Sequence, residues 1–482
     1  MSEAQTSFRN HPVVVVSGIV RALVAVAIIT IWFYGVDDVH RLIAIDAALF
    51  SLIVSMSVIV WLKTTVTFEE TEIYVLKDTI FRKETHIQYT RLASVNIERS
   101  LVDRLCGTAT LSFNVNSSVN SNQAEATLRL KEDRAIEVRD ELSKLIFSKD
   151  TTVEEDRRIE SLVEVTNGEV IIHSFLSQPT PQLLFGILMF IYSVYSLFFN
   201  EGRGLLIALL MLVMSEVFPI GRVILKYANY RIYRDGDTIT VESGLITTYR
   251  SSFKVAKVNS LRMRQPLIAR ALRCATLEAE VVGIAGKEGV PLLCPLKDAA
   301  AVRELIPKLI PEFDFDIEGE HQPKGALLPS SLLSIAAILI SLVAGALIFI
   351  WSDYEPDETI SMILFASSIV IPAATASVMG IRAYLLHRER EMATDGNLLM
   401  LLVGAFDIRR EYILFDKVQV SSSVAGPLER RRGLARLRVG TISSAGARTM
   451  TSGVFDVDEV ETMVGIVADR IRDGRYDYRR HI

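Results

Sequence analysis

Long apolar blocks alternate along the chain with stretches in which apolar and polar residues take turns. Val13–Tyr34, Leu42–Leu62, Leu183–Phe199, Leu205–Leu225, Leu332–Trp351 and Ile360–Leu386 carry at most two charges each. A helix needs roughly 20 such residues to cross the hydrocarbon of a bilayer. The blocks come in three pairs joined by short polar loops, so the pattern predicts three helical hairpins. After each pair the period drops to two, as in "DGDTITVESGLI" at Asp235–Ile246 and "DGNLLMLLVGAF" at Asp395–Phe406. Such alternation marks strands buried on one face, and the glycines mark tight turns between them. The period then becomes helical, with apolar stripes at Val138, Leu142 and Leu145, at Val302, Leu305, Ile306 and Leu309, and at Val460, Val464, Val467 and Ile471. A small antiparallel structure capped by one amphipathic helix accounts for both periods.

The alternating stretches repeat. A slide of 160 residues puts Asp235 on Asp395, Gly236 on Gly396, Ile239 on Leu399, Val241 on Leu401, Gly244 on Gly404 and Lys257 on Lys417. A slide of 166 the other way puts Ile239 on Ile73, Val241 on Val75, Lys257 on Arg91 and Val258 on Leu92. The chain is therefore a threefold repeat. The expected order is hairpin 12–63, domain 64–148, linker 149–182, hairpin 183–226, domain 227–311, linker 312–326, hairpin 327–387, domain 388–474 and a basic tail 475–482. Three units suit a length of 482 residues better than one core does. Segregated apolar blocks also explain a mean hydropathy of +0.32 in a chain with 23% charged residues.

Charge sets the expected orientation. The loops inside the pairs hold Asp37, Asp38, Glu201, Asp353, Glu355, Asp357 and Glu358 against Arg41 and Arg203, whereas Lys63, Arg222, Lys226, Arg388 and Arg390 flank the other ends. Positive-inside bias places the termini and all three polar domains in the cytoplasm of a multi-pass cell-membrane protein. The start "MSEAQTSFRN" lacks a basic n-region and a small-residue cleavage site, so the first block is expected to be a retained anchor. Cys106, Cys274 and Cys294, without CxxC spacing, are then expected to stay reduced.

With a hairpin, a "DGDxIxxxSGLI" strand turn, a basic-apolar "KV" strand and a following turn, each unit resembles the bacterial pleckstrin-homology-like family. The following turn reads "SLVDRLCG" at Ser100–Gly107, "PLIARALR" at Pro266–Arg273 and "PLERRRG" at Pro427–Gly433. The three tandem units are similar to the YdbT-like multi-spanning branch. The resemblance implies an α+β membrane protein in which three transmembrane hairpins alternate with three cytosolic PH-like β domains. Each domain would be two packed antiparallel sheets closed by a C-terminal helix. Unit one departs from the pattern with Glu69-Glu70 in place of Asp-Gly, and unit two with Arg273 in place of Gly, so those turns are expected to differ in conformation.

Candidate chemistry is sparse. The seven histidines are dispersed and no HExxH or Cys/His ligand spacing occurs, so neither a metal nor another cofactor is expected. "GIAGKEG" at Gly283–Gly289 has the wrong glycine spacing for a phosphate loop, and no GxSxG elbow exists. An enzyme is not expected. Within the membrane blocks, Arg21, Asp46 and Glu216 stand out because charge in lipid is costly. Arg21 and Asp46 lie too far apart along their helices for an easy pair, and Glu216 is expected to face another helix. The strongest signal is basic. From Ser243 to Leu277 there is no acid, yet Arg250, Lys254, Lys257, Arg262, Arg264, Arg270 and Arg273 occur, and unit three carries Arg430, Arg431 and Arg432. Juxtamembrane cations of this kind attract anionic lipid headgroups. Nucleic acid is not expected, because no aromatic platform is interleaved with these charges. The reading is a scaffold that binds anionic phospholipid and a membrane-protein partner, either a smaller one-hairpin relative or a second copy. The alternative is a transporter or lipid-handling protein with a pathway between the hairpins.

Overall fold

A computed structural model describes residues 6–32, 39–79, 81–115, 126–147, 162–199, 209, 211–281, 291–443 and 446–474. The Gly-Lys stretch at 283–289 and the basic tail 475–482 lie outside the described residues. Unit one runs β1 (Thr6–Arg9), α1 (Val13–Trp32), α2 (Val39–Leu62), β2 (Thr64–Phe68), β3 (Glu72–Asp78), β4 (Arg82–Gln88), β5 (Leu92–Arg99), α3 (Leu101–Cys106), β6 (Thr108–Val115), β7 (Ala126–Lys131) and α4 (Glu132–Phe147). Unit two begins with β8 (Val163–Glu164), α5 (Asn167–Leu176), α6 (Thr180–Phe199), a π-helical turn at Val213–Val217 and α7 (Phe218–Tyr227). It continues with β9 (Arg231–Asp235), β10 (Thr238–Ser243), β11 (Thr248–Lys254), β12 (Val258–Gln265), α8 (Leu267–Ala271), β13 (Cys274–Val281), β14 (Leu292–Asp298) and α9 (Ala299–Leu309). Unit three has β15 (Glu320–His321), α10 (Leu327–Ser352), α11 (Glu358–Arg388), β16 (Glu391–Thr394), β17 (Leu398–Val403), β18 (Ile408–Leu414) and β19 (Val418–Val424). It ends with α12 (Pro427–Arg430), β20 (Leu434–Ser443), β21 (Gly446–Thr451), β22 (Phe455–Asp456) and α13 (Val457–Arg472).

Among the described residues, three helical stretches are long and apolar enough to cross a membrane: Ile43–Leu62, Lys324–Ser352 and Glu358–Arg388. A fourth span results if Asn167–Leu176 and Thr180–Ser196, bent by 84°, act as one. The bend has a packing reason. Val170 of α5 is buried in the core of the second domain, so α5 lies against the sheet while α6 leaves it. α1 packs on α2 and α10 on α11 as paired helices. The first pair closes tightly at Gly18, where an added Cβ would overlap the Ser57 side chain.

The three domains are not separate two-sheet bodies. The sheets run β1-β2-β3-β4, then β7-β6-β5-β11-β10-β9-β8, then β14-β13-β12-β18-β17-β16-β15, then β19-β20-β21. The second sheet of each unit is thus continuous with the first sheet of the next. β11 joins β5 with Thr248 opposite Arg99, and β18 joins β12 with Ile408 opposite Gln265. These are the same repeat positions under the 166- and 160-residue offsets, so one register serves both junctions. Edge pairing also satisfies a row of backbone donors and acceptors that an isolated domain would leave open.

The joining changes which residues face a core. In β10, Ile239 and Val241 are buried while Thr238, Thr240 and Glu242 are not. In β17, Leu399 and Leu401 enter the core of the third domain, whereas Leu398, Met400 and Leu402 join the core of the second. Phe313 and Phe315, from the acidic linker, pack with that second set, and Phe315 meets Tyr412 at 6.0 Å between ring centroids. The continuous "LLMLL" run is therefore a strand buried on both faces.

Candidate membrane-proximal interface

Strand pairing brings acids to the basic run from elsewhere in the sequence. Arg262, on β12, faces away from the core that holds Leu261 and Met263. Its Nε donates to Glu411 Oε1 at 2.9 Å, Nη1 to Glu278 at 3.1 Å and Nη2 to Glu280 at 2.5 Å. Arg448 of β21 donates to Glu280 at 2.8 Å and to Glu411 at 2.6 Å. Two guanidiniums and three carboxylates thus tie β12, β13, β18 and β21 together. Glu411 is 1% exposed and Arg262 13%. Burial pushes the Glu411 carboxyl up to about 7, although Arg262 pulls it down. Arg264 pairs with Glu278 at 3.9 Å, Arg270 with Glu389 at 2.7 Å and Arg250 with Glu242 at 3.1 Å. The expectation of an acid-free surface is corrected: the run lacks acids in sequence but not in space. Arg262 is consumed by the junction between domains. Leu267, the first residue of α8, is 38% exposed.

The remaining cations divide. Lys257 is half-buried, and burial with the neighbouring Lys254 pulls its amine down to about 8. Its counterpart Lys417 donates to Ala256 O at 2.8 Å, adding another link across the junction. Arg430, Arg431 and Arg432 are exposed, and Arg432 donates to Gly325 O at 2.8 Å, which places this turn beside the start of α10.

Turns of each domain sit at the feet of the helices. Gly244 N–H donates to Ala228 O and Leu245 N–H to Leu225 O, holding the β10–β11 turn against the end of α7. Arg104 of α3 donates to Leu245 O at 2.5 Å. Asp407, in the β17–β18 turn, accepts from the backbone N–H and hydroxyl of Thr180, the first residue of α6. A carboxylate there satisfies helix N-terminal donors and complements the dipole. A turn of the third domain thereby caps a helix of the second unit.

The intramembrane acids are engaged within their own units. Asp46 accepts from Thr30 Oγ1 at 2.8 Å across the α1–α2 pair. The side chain of Arg21 lies outside the described residues. Glu216 sits in the π-helical turn and lies against Gly186 of α6, where an added Cβ would overlap its carboxyl group. It also hydrogen-bonds Gln178. Glu216 thus faces another helix, as expected, but that helix is α6 of its own unit, where a glycine makes room for it. The π turn, just ahead of Pro219, sets the angle at which it points.

Two clefts occupy matching places. One of about 170 Å³ is lined by Ser17, Val60, Thr64, Thr110 and Arg129, and one of about 220 Å³ by His173, Gln178, Pro219, Arg264, Thr276 and Glu278. Thr110 and Thr276 are equivalent under the 166-residue offset. In each cleft an arginine meets an acid, Arg129 with Asp103 at 3.1 Å and Arg264 with Glu278. His173 stacks edge-on to Tyr227, and burial with the nearby Arg264 lowers its imidazole to about 4. Its folded pKa lies below the unfolded value, so acid penalises the fold. Stability should hold above about pH 6.5 and fall by on the order of 2–3 kcal/mol as the pH drops toward 4. Urea unfolding followed against pH should show this slope flattened in His173→Leu. Among the described residues no cluster of His, Cys, Asp or Glu suits a metal ion.

The family model described as Bacterial PH domain matches the chain three times, over residues 12–146, 183–310 and 326–471. The chain belongs to this family. It is also 19% identical to the UPF0699 transmembrane protein YdbT of Bacillus subtilis (strain 168), in an alignment of 496 positions covering 94% of this chain and 95% of that protein. No solved structure matches the chain.

The three bacterial PH repeats share one turn geometry despite their sequence differences. Between the short helix and the next strand one residue is left-handed in each unit: Gly107 at φ 62°, Arg273 at φ 57° and Gly433 at φ 66°. The expected difference at Arg273 is corrected: the arginine adopts the left-handed conformation that glycine adopts elsewhere. Its carbonyl accepts from Ala299 N–H at 2.8 Å, the bond that Gly107 and Gly433 make with Glu132 and Val457. The requirement for that bond outweighs the steric cost of a Cβ there, about 1–2 kcal/mol.

Proposed function

We propose that this bacterial PH-domain protein is a multi-pass scaffold of the cell membrane. Six helices in three hairpins anchor one rigid row of three cytosolic PH-like domains. The open ends of the row receive a PH-like unit of a membrane-protein partner, a smaller relative with one hairpin. The observation that carries this reading is the shared register of the two junctions. β4 is the counterpart of β11 and β18, and β19 is the counterpart of β5 and β12, yet among the described residues neither β4 nor β19 pairs on its outer side. Each is an edge of the kind that the chain joins twice within itself, and strand addition to such an edge is a common mode of recognition. The loop charges support a cytoplasmic placement of the row, and the reading includes no enzymatic step. Asp46 and Glu216 are bonded inside their own units, which favours anchoring over a transport path.

A photo-crosslinking amino acid at Ser422, on β19, tests the proposal in intact membranes. The expected product is an adduct whose peptide comes from a PH-like strand equivalent to β18. Adducts with lipid alone, or none, would contradict it.

A further inference from the structure

The feet of the three hairpins are built alike but charged differently. At the first foot Arg129 has Asp103, and at the second Arg264 has Glu278. At the third foot the position equivalent to Thr110 and Thr276 is itself an arginine, Arg436, and two more arginines stand beside it. Arg390 lies two residues past the end of α11, Arg382 about two turns earlier on that helix, and Arg436 comes from β20. Arg382 donates to Ser334 Oγ at 2.9 Å, a neutral acceptor on α10. Arg436 holds Glu429 at 2.7 Å and reaches Pro329 O at 3.4 Å in the first turn of α10. Glu429 is already committed, since its other oxygen accepts from Gly426 N–H at 2.6 Å. Arg390 has no hydrogen-bond or ion-pair partner among the described residues, and its Nε is buried. Its guanidinium is pulled down to about 10 by burial and by the charges of Arg436 and Arg382. Three cations therefore share one carboxylate at the foot of two membrane-length helices, beside the positive end of the α10 dipole.

A half-buried guanidinium without a counter-charge is costly. The same chain neutralises Arg262 and Arg448 with three carboxylates, so the shortage of acids at the third foot has to be met by something else. We propose that Arg382, Arg390 and Arg436 form a site for the phosphate of an anionic phospholipid headgroup, held at the foot of the third hairpin between α10, α11 and β20. Planar guanidiniums bind phosphate oxygens in paired fashion. The place also suits a lipid rather than a free anion: beyond the arginines the two helices expose Leu339 and Ile340 on α10 and Val378 on α11, along which acyl chains would continue from the headgroup. The site does not depend on strand addition at β4 or β19.

The full-length protein in nanodiscs tests the site. Wild type, Arg390→Gln and the adjacent exposed Arg388→Gln would be compared in phosphatidylcholine alone, in phosphatidylcholine with phosphatidylglycerol, and in phosphatidylcholine with added inorganic phosphate. Native mass spectrometry would count retained anionic lipid, and thermal unfolding would report the fold. In phosphatidylcholine alone, Arg390→Gln should be no less stable than wild type, because it removes an uncompensated cation. With phosphatidylglycerol, wild type and Arg388→Gln should gain in melting temperature and retain the lipid, while Arg390→Gln binds it about fivefold more weakly. Arg382→Gln should repeat the loss if the three arginines act together. Equal retention by wild type, Arg382→Gln and Arg390→Gln would overturn the proposal. So would full protection of wild type by inorganic phosphate in phosphatidylcholine, which would make the site one for free phosphate.

Discussion

Arg262→Ala is expected to destabilise the junction between the second and third domains by about 3–5 kcal/mol, the cost of leaving buried charge without its counter-charge. Glu280 and Glu411 would then face Arg448 alone, and Glu278 would keep only the longer contact with Arg264. The loss should depend on pH in a definite direction. Glu411 is already held up near 7, and removing Arg262 takes away the influence that lowers it. A carboxyl whose folded pKa lies above its unfolded value near 4.5 contributes stability below that value, and the contribution is lost as pH rises through the folded value. Denaturant unfolding should therefore show a smaller deficit for the variant at pH 5 than at pH 8. An effect on lipid binding without an effect on unfolding would return Arg262 to the surface role that its sequence context suggested.

The second large effect is expected at the β17–β18 turn. Gly404 has φ 113° and its counterpart Gly244 has φ 110°. A Cβ at either would run into a backbone carbonyl, that of Asp407 or of Thr247. Gly404→Val should cost about 3 kcal/mol or more, combining a strained backbone with a clash that side-chain motion cannot relieve. It should cost more than Gly244→Val, because shifting Asp407 also releases the N-terminal donors of Thr180 on α6. Thermal unfolding of both variants in detergent checks the size and the order. Equal, small losses would mean that these turns are not fixed by their glycines.

Both effects separate what the sequence discloses from what it withholds. Hairpins, strand turns and closing helices follow from local periods, which need no partner to be read. The matched Gly244 and Gly404 were legible because a repeat offset compares like with like. The junctions were not, because pairing β12 with β18 depends on an edge 149 residues away, from Arg262 to Glu411. A partial signal was present. Glu278 and Glu280 alternate on one strand, so they point to the same face, and Arg262 and Arg264 do so on the neighbouring strand. The "LLMLL" run at Leu398–Leu402 was another, since a strand apolar at every position asks for cover on both sides. The residues 162–176, read as linker, instead supply β8 and the buried face of α5. Their short amphipathic stretch beside "SQPTPQ" carries too little periodicity to separate a packed helix from a loop.

The central claim, that the three domains form one continuous row, is tested most directly by crosslinking across both junctions in native membranes. Glu98 lies opposite Tyr249, and Arg264 opposite Arg409, and the two pairs are the same repeat positions. In a background without Cys106, Cys274 and Cys294, cysteines at each pair should crosslink within one chain through a short bifunctional reagent, since directly opposed Cβ atoms lie about 4.5–5.5 Å apart. Cysteines at Glu98 and Ser251, staggered by two residues, should link far more slowly. Efficient linkage of both opposed pairs is the result the continuous row predicts. Failure of either pair to outpace the staggered control would contradict it and leave three independently hung domains.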